Sequence, residues 1–369
     1  MEFIDLKKQQ KKIRSNLIKS IDKILDEGDY ILGSEVTKLE KKLSSFCSVD
    51  YCLTVSTGTD ALLMSLMALD LKPGDEVITT PFTWISTVEV IKFLGAVPVY
   101  CDIESDTFNI DPDTITENLS SKTKAIIPVS LFGQCADFDE INKIAHEEGI
   151  PVIEDGAQSF GANYKNKKSC SLSTIGCTSF FPSKPLGCYG DGGACFTNDE
   201  EIYEKLKAIR VHGATSKNNF DFVGLNGRFD TIQAAILLVK LNEFDKEIEL
   251  RQEKANFYEN LIKKHLEEDG EENEIIFPLI KSYNKSVFAQ YTIKAKNREL
   301  ILQRLKEKKI PFAIHYEKLA YEHNAYRIKN NISLPVAESV KKQVFSIPMH
   351  PYLEEADQVR VINAIFGKS

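Results

Sequence analysis

The chain has 369 residues, 43% of them hydrophobic and 27% charged, with a net charge of −8. That length allows two or three domains of ordinary globular composition. The negative balance excludes wholesale attraction to nucleic acid, but not a small basic pocket for a phosphate.

In chain order, "MEFIDLKKQQKKIRSN" at 1–16 lacks the apolar core of a signal peptide, so a cytoplasmic protein with no membrane partner is expected. No later run approaches the roughly 20 apolar residues of a membrane span. From about residue 50 to 212, short apolar runs alternate with helical periodicity. "YCLTVS", "DEVITT", "VPVYCDI", "KAIIPVSLF" and "IPVIEDGA" read as strands. "TDALLMSLMALD", "STVEVIKFLG", "DFDEINKIAHEEG" and "DEEIYEKLKAIRVHG" read as helices. Strands rich in Val and Ile, separated by helices, predict an α/β fold with a mostly parallel sheet covered on both faces. From residue 234, "AAILLVKLNEFDKEIELRQEKANFYENLIKKHL" predicts a long charged helix, and the acidic "EEDGEENE" at 267–274 a solvated loop. "VFAQYTIKAK" and "PFAIHY" are then strands, and "RELILQRLKEKKI" and "ADQVRVINAIFGKS" helices. The expected division is a large domain over 1–245, with an N-terminal helical arm, and a smaller α/β domain over 246–369.

Cysteines at 47, 52, 101, 135, 170, 177, 188 and 195 form no C-x-x-C, and the histidines form no H-E-x-x-H. Buried thiols are expected, and no metal site.

The chemistry centres on "TSFFPSKPLGCYGDGGAC" at 178–195, which holds Lys184 between two prolines. A lone lysine in a loop ordinarily faces solvent, but three other segments change its meaning. "STGTDAL" at 56–62 follows a strand and opens a helix, where free N–H groups and Gly58 suit a phosphate. It matches neither the nucleoside triphosphate nor the dinucleotide fingerprint. In "VIEDGAQSFG" at 152–161, Asp155 ends an apolar strand, where open α/β sheets place ligands. A carboxylate there needs a cationic or hydrogen-bonding partner, and a protonated ring nitrogen would serve. Ser179 adds a hydroxyl five residues before Lys184. "TPFTWIS" offers Trp84 or Phe82 to cover a ring, although aromatics are more often core. A phosphate cradle, a carboxylate for a pyridinium and a lysine for a Schiff base are the parts that pyridoxal phosphate chemistry requires.

Together "STGTDAL", "PVSLFGQCAD", "PVIEDGAQSFGA", "TSFFPSKPLGCYGDGGA" and "GLNGRFDTIQAA" resemble the fold-type I, pyridoxal-phosphate-dependent nucleotide-sugar aminotransferases of the DegT/StrS kind. The resemblance spans the whole chain and is closest to the WbpE/WlbE type, which aminates C3 of UDP-linked 3-keto-2-acetamido sugars. It implies that Lys184 holds pyridoxal phosphate as an internal aldimine and shuttles a proton. It places Asp155 on the pyridinium, Gln158 near the phenolic oxygen, and Gly58, Thr59 and Ser179 on the phosphate. Trp84 would stack on the ring. Asn226 would reach the phosphate of a neighbouring subunit, which makes the protein a homodimer with shared sites. Gly28, Tyr30, Ser183, Arg228, His315 and Tyr316 would bind the sugar nucleotide. On residue type alone, Gly28 is equally a helix stop and His315 an ordinary strand histidine. The implied donor is L-glutamate, and the product an amino sugar for a surface polysaccharide, lipopolysaccharide or glycan. A lysine at 184, where the related sugar 3-dehydratases carry histidine, argues against dehydration. A 4-aminotransferase acting on a 4-keto-6-deoxy sugar and a non-catalytic pyridoxal-phosphate-binding protein remain as alternatives.

Overall fold

The computed structural model describes residues 1–269, 275–327 and 332–368. The main sheet has the spatial order Val97–Tyr100, Glu76–Thr79, Thr123–Ile127, Ile153–Asp155, Ile175–Ser179, Gly193–Thr197 and Tyr51–Val55. Parallel bridges Ile126–Val152 and Val129–Asp155 join its two halves. Only Gly193–Thr197 runs against its neighbours.

Alternation along the strands sorts side chains onto the two faces. Val77, Ala125 and Ile127 join one core with the helix Gly58–Ala68. Ile78 and Ile126 join the other, with the helices Ser34–Cys47 and Phe138–Glu148. That double coverage explains why these strands read as continuous apolar runs. Gly149 ends its helix at φ 66°, a left-handed conformation that glycine adopts without strain. All eight cysteines are buried free thiols.

The long helix Thr231–Asp269 crosses from one core to another. Leu237, Phe244 and Ile248 belong to one of the main sheet's cores, whereas Ala255, Tyr258 and Ile262 belong to a separate one. The hand-over lies between Ile248 and Ala255, inside one continuous helix. That separate core covers an antiparallel sheet of Ile275–Ile276, Tyr291–Ala295 and Val344–Ile347 with the helices Arg298–Glu307 and Glu355–Phe366.

Two expectations need revision. "PFAIHY" is not a strand: only Ala313 bridges, to Ser346, after which the chain turns away. Val344–Ile347 pairs with Tyr291–Ala295 along one edge and offers the other to Ala313 at one position only, beyond which the segment carries His315 and Tyr316 into the cleft. Of the acidic 267–274 stretch, the helix takes in 267–269, while 270–274 lie outside the described residues.

Candidate active site

Asp155 and Ser179 are the last residues of adjacent parallel strands, and Gly58 is the first of the helix that follows Tyr51–Val55. These ends meet at the C-terminal edge of the parallel strands, beside a cavity of about 500 Å³. Gly58, Thr59, Trp84, Asp155, Gln158, Ser179, Ser183, Lys184, His315 and Tyr316 all line it.

The helix N-terminus and Ser179 are in direct contact. A Cβ on Gly58 would stand 2.6 Å from Ser179 Cβ, so only glycine fits there. Thr57 caps the helix by accepting from the Asp60 N–H at 2.9 Å, which leaves the neighbouring N–H groups for an anion. Thr59 Oγ1 lies 2.9 Å from Ser86 Oγ.

Asp155 is 5% exposed. It accepts from Thr87 Oγ1 at 2.7 Å and from the Ala157 N–H at 3.2 Å. Burial raises its carboxyl, while those two donors and the Lys184 charge oppose the rise. Burial lowers the Lys184 ammonium, and the Asp155 charge opposes that. The cavity thus holds an amine biased toward its nucleophilic form, near a carboxylate that lacks a full set of partners.

Gln158 accepts the Phe132 N–H at 2.8 Å and donates to the Tyr316 hydroxyl at 2.9 Å. His315 Nδ1 lies 3.1 Å from Ser346 Oγ. Burial, then the Lys184 charge, lowers His315, which favours the neutral ring. Of the two candidate aromatics, Phe82 is core and Trp84 is 61% exposed at the cavity wall.

Four expected residues stand outside this cavity. Gly28 ends the helix Leu6–Glu27 at φ 72°, and its N–H donates to Ile24 O at 2.9 Å, so in this chain it is a helix stop. Tyr30 is exposed, and its carbonyl accepts from the Thr231 N–H at 2.9 Å. Arg228 Nε donates to Asn226 Oδ1 at 2.9 Å, both on the surface. Sequence reasoning missed Thr87 and Gln290. A threonine in the first turn of the helix Ser86–Phe93, close after Trp84, was a usable signal for the first. Nothing local marks Gln290, which reaches the cavity from far along the chain.

The profile of the DegT/DnrJ/EryC1/StrS aminotransferase family matches residues 11–366. The chain belongs to that family. It is 50% identical, over 99% of each chain, to the UDP-2-acetamido-2-deoxy-3-oxo-D-glucuronate aminotransferase of Pseudomonas aeruginosa. Among solved structures, DesV of S. venezuelae in complex with a ketimine intermediate aligns with TM-score 0.94 and 32% identity, covering 99% of this chain and 97% of that one. NtdA of Bacillus subtilis with the bound cofactor PMP aligns with TM-score 0.89 and 28% identity, covering 99% and 82%. Membership in the DegT/DnrJ/EryC1/StrS aminotransferase family agrees with the fold and with the cleft's lysine, carboxylate and helix N-terminus. Among the described residues no helix is long and apolar enough to cross a membrane, and no group of His, Cys, Asp or Glu could hold a metal.

Proposed function

We propose that this protein is a pyridoxal-phosphate-dependent aminotransferase. It moves the amino group of L-glutamate to C3 of a UDP-linked 2-acetamido-3-keto sugar, making an amino sugar for a surface polysaccharide, lipopolysaccharide or glycan. The observation that carries the reading is the full-length similarity to the P. aeruginosa enzyme, joined to a cleft whose residues fit the cofactor. The fit rests on the glycine-only contact of Gly58 with Ser179 and on the buried, partly partnered Asp155.

When bound, pyridoxal phosphate supplies an electron sink for the carbon that gains or loses nitrogen. Gly58 and Thr59 present backbone N–H groups, and Ser179 its hydroxyl, to the phosphate. Asp155, kept in place by Thr87, holds a proton on the ring nitrogen. Trp84 covers the ring. Gln158 faces the phenolic oxygen, steered by Tyr316. Lys184, with its lowered affinity for protons, would hold the cofactor and would serve as the proton carrier at the reacting carbon. Ser183, His315 and Tyr316 address the sugar nucleotide.

Tyr30, Asn226 and Arg228 are exposed and lie outside the cavity of their own chain. In the proposed homodimer they complete the partner's site, with the Arg228 fork on a carboxylate or phosphate. Gly28 has no side chain to offer and acts through its turn. The division into a large domain over 1–245 and a smaller C-terminal one over 246–369 is part of this proposal, supported by the hand-over between cores along the long helix, between Ile248 and Ala255. The enzyme works in the cytoplasm on soluble substrates.

The test is incubation with L-glutamate and a panel of keto-sugar nucleotides, followed by 2-oxoglutarate release and mass analysis of the sugar product. Amination of UDP-linked 3-keto sugars is expected. Turnover confined to 4-keto-6-deoxy sugars refutes the C3 assignment.

A further inference from the structure

Behind the turn that carries Lys184 lies a buried cluster of polar, titratable side chains that the proposed reaction does not use. Lys240, Glu247, Arg251 and His350 are 2%, 3%, 4% and 3% exposed. The first three come from the long helix Thr231–Asp269, which also carries Gln233. Steps of seven residues return almost to the same helix face, so Gln233, Lys240 and Glu247 form one polar stripe. Buried lysines are rare without a partner, and this one has a specific partner.

Lys240 Nζ donates to the carbonyl of Gly187, in the turn that carries Lys184. It also stands 5.1 Å from the centroid of the Tyr189 ring, within range of a cation–π contact. Gln233 takes both backbone groups of Tyr189. Its Oε1 accepts the N–H at 2.8 Å, and its Nε2 donates to the carbonyl at 3.3 Å. Within the turn, the Lys184 N–H donates to Phe181 O at 2.9 Å and the Cys188 N–H to Phe180 O at 2.8 Å. A Cβ on Gly187 would stand 2.5 Å from Pro182 O, so the turn is closed on itself. Its internal bonds set its shape, and the stripe sets where that shape sits.

Glu247 continues the stripe. It accepts from Gln9 Nε2 at 2.7 Å and from the Tyr352 hydroxyl at 2.6 Å. The same rail therefore holds the lysine turn, the N-terminal helix and the segment that follows Val344–Ile347. Burial lowers the Lys240 ammonium to about 8, and the Glu247 charge opposes that fall.

We infer that Lys240 is a positioning residue for Lys184: through the Gly187 carbonyl it fixes the height of the lysine turn against the cofactor site. The inference rests on the reading of Lys184 as the cofactor-bearing lysine. A displacement of about 1 Å in such a group costs on the order of 100-fold in rate, and a partial one correspondingly less.

The test uses holoenzyme variants Lys240→Met, Lys240→Met/Glu247→Gln and Gln233→Met, with Lys184→Ala as control. Measured are kcat, KM for L-glutamate, the visible circular dichroism of the bound cofactor and the melting temperature. Lys240→Met is expected to lower kcat by on the order of tenfold, hold KM within about twofold and alter the dichroism. In Lys240→Met, Glu247 keeps its donors Gln9 and Tyr352 and its charged neighbour Arg251, whereas the double variant leaves buried Arg251 without an acidic neighbour and is expected to recover neither melting temperature nor kcat. A merely structural lysine would move melting alone, so wild-type kcat and dichroism in folded Lys240→Met overturn the inference. Should Lys240→Met fail to fold, Gln233→Met decides by the same two readouts. Multiple turnover in Lys184→Ala would instead overturn the reading of Lys184, a separable failure.

Discussion

Gly58→Ala tests the phosphate cradle most directly. The added methyl would stand 2.6 Å from Ser179 Cβ, 3.1 Å from its Cα and 3.2 Å from its Oγ. Two of those atoms belong to a stiff strand end and cannot swing aside. Relief must come from parting the helix N-terminus and Ser179. Apo protein can relax that way, but one phosphate cannot then touch both walls, so binding has to restore the crowding. Overpacking of this kind costs about 1–3 kcal/mol, which is a weakening of roughly 5- to 140-fold in affinity. The assay is a spectroscopic titration of apo protein with pyridoxal phosphate and, separately, with pyridoxal. The loss should fall on the phosphorylated ligand. Ser179→Gly in the same chain removes the opposing Cβ, so the double variant should lose less than the sum of the two single changes. Wild-type affinity for pyridoxal phosphate in folded Gly58→Ala would refute the cradle, and strict additivity would refute the steric account.

Lys184→Ala should fold, bind pyridoxal phosphate without a covalent link and lose multiple turnover; borohydride reduction and mass analysis check the link, and normal turnover refutes the assignment. Thr87→Val deletes the 2.7 Å bond to buried Asp155. A hydrogen bond to a charged group contributes about 1.5–3 kcal/mol, so kcat/KM should fall by roughly 10- to 140-fold, and an unchanged value would mean that Thr87 does not support Asp155. Glu154 is fully buried, bonded to Ser169, Ser130 and the Cys170 N–H, and burial raises its carboxyl to about 7. Between about 4.5 and 7 the unfolded chain has lost this proton and the folded one keeps it, so this group's contribution to stability falls as pH rises. Glu154→Gln should therefore flatten the decline in melting temperature across that window, and a parallel pair of curves would show that Glu154 does not titrate there. Finally, Lys184→Ala mixed with Asn226→Asp/Arg228→Ala after reversible dissociation should regain activity, toward about half of wild type per heterodimer, because two-fold symmetry leaves one intact site. No recovery despite proven subunit exchange would place each site within one chain.

The sequence by itself determined the elements whose cause is local. Alternating apolar runs gave the strands, the glycine at 149 marked a helix end, and "STGTDAL" announced a helix N-terminus fit for an anion. Lys184, Asp155 and Ser179 could be named because their chemistry is unusual for their local settings. Tertiary structure decided what depends on distant segments meeting. "PFAIHY" has the composition of a strand, yet it touches the open edge of Val344–Ile347 only at Ala313, and the rest of the segment becomes a wall of the cleft. Trp84 and Phe82 share one loop, and only packing sent Phe82 to the core and left Trp84 beside the cavity. Gly28, Tyr30, Asn226 and Arg228 belong to recognisable motifs but lie outside the cavity of their own chain. Glu154 and Asp155 are adjacent carboxylates that the sequence cannot rank. The pleat turns one toward the cleft and the other into a hydrogen-bonded core, because successive side chains of a strand point to opposite faces.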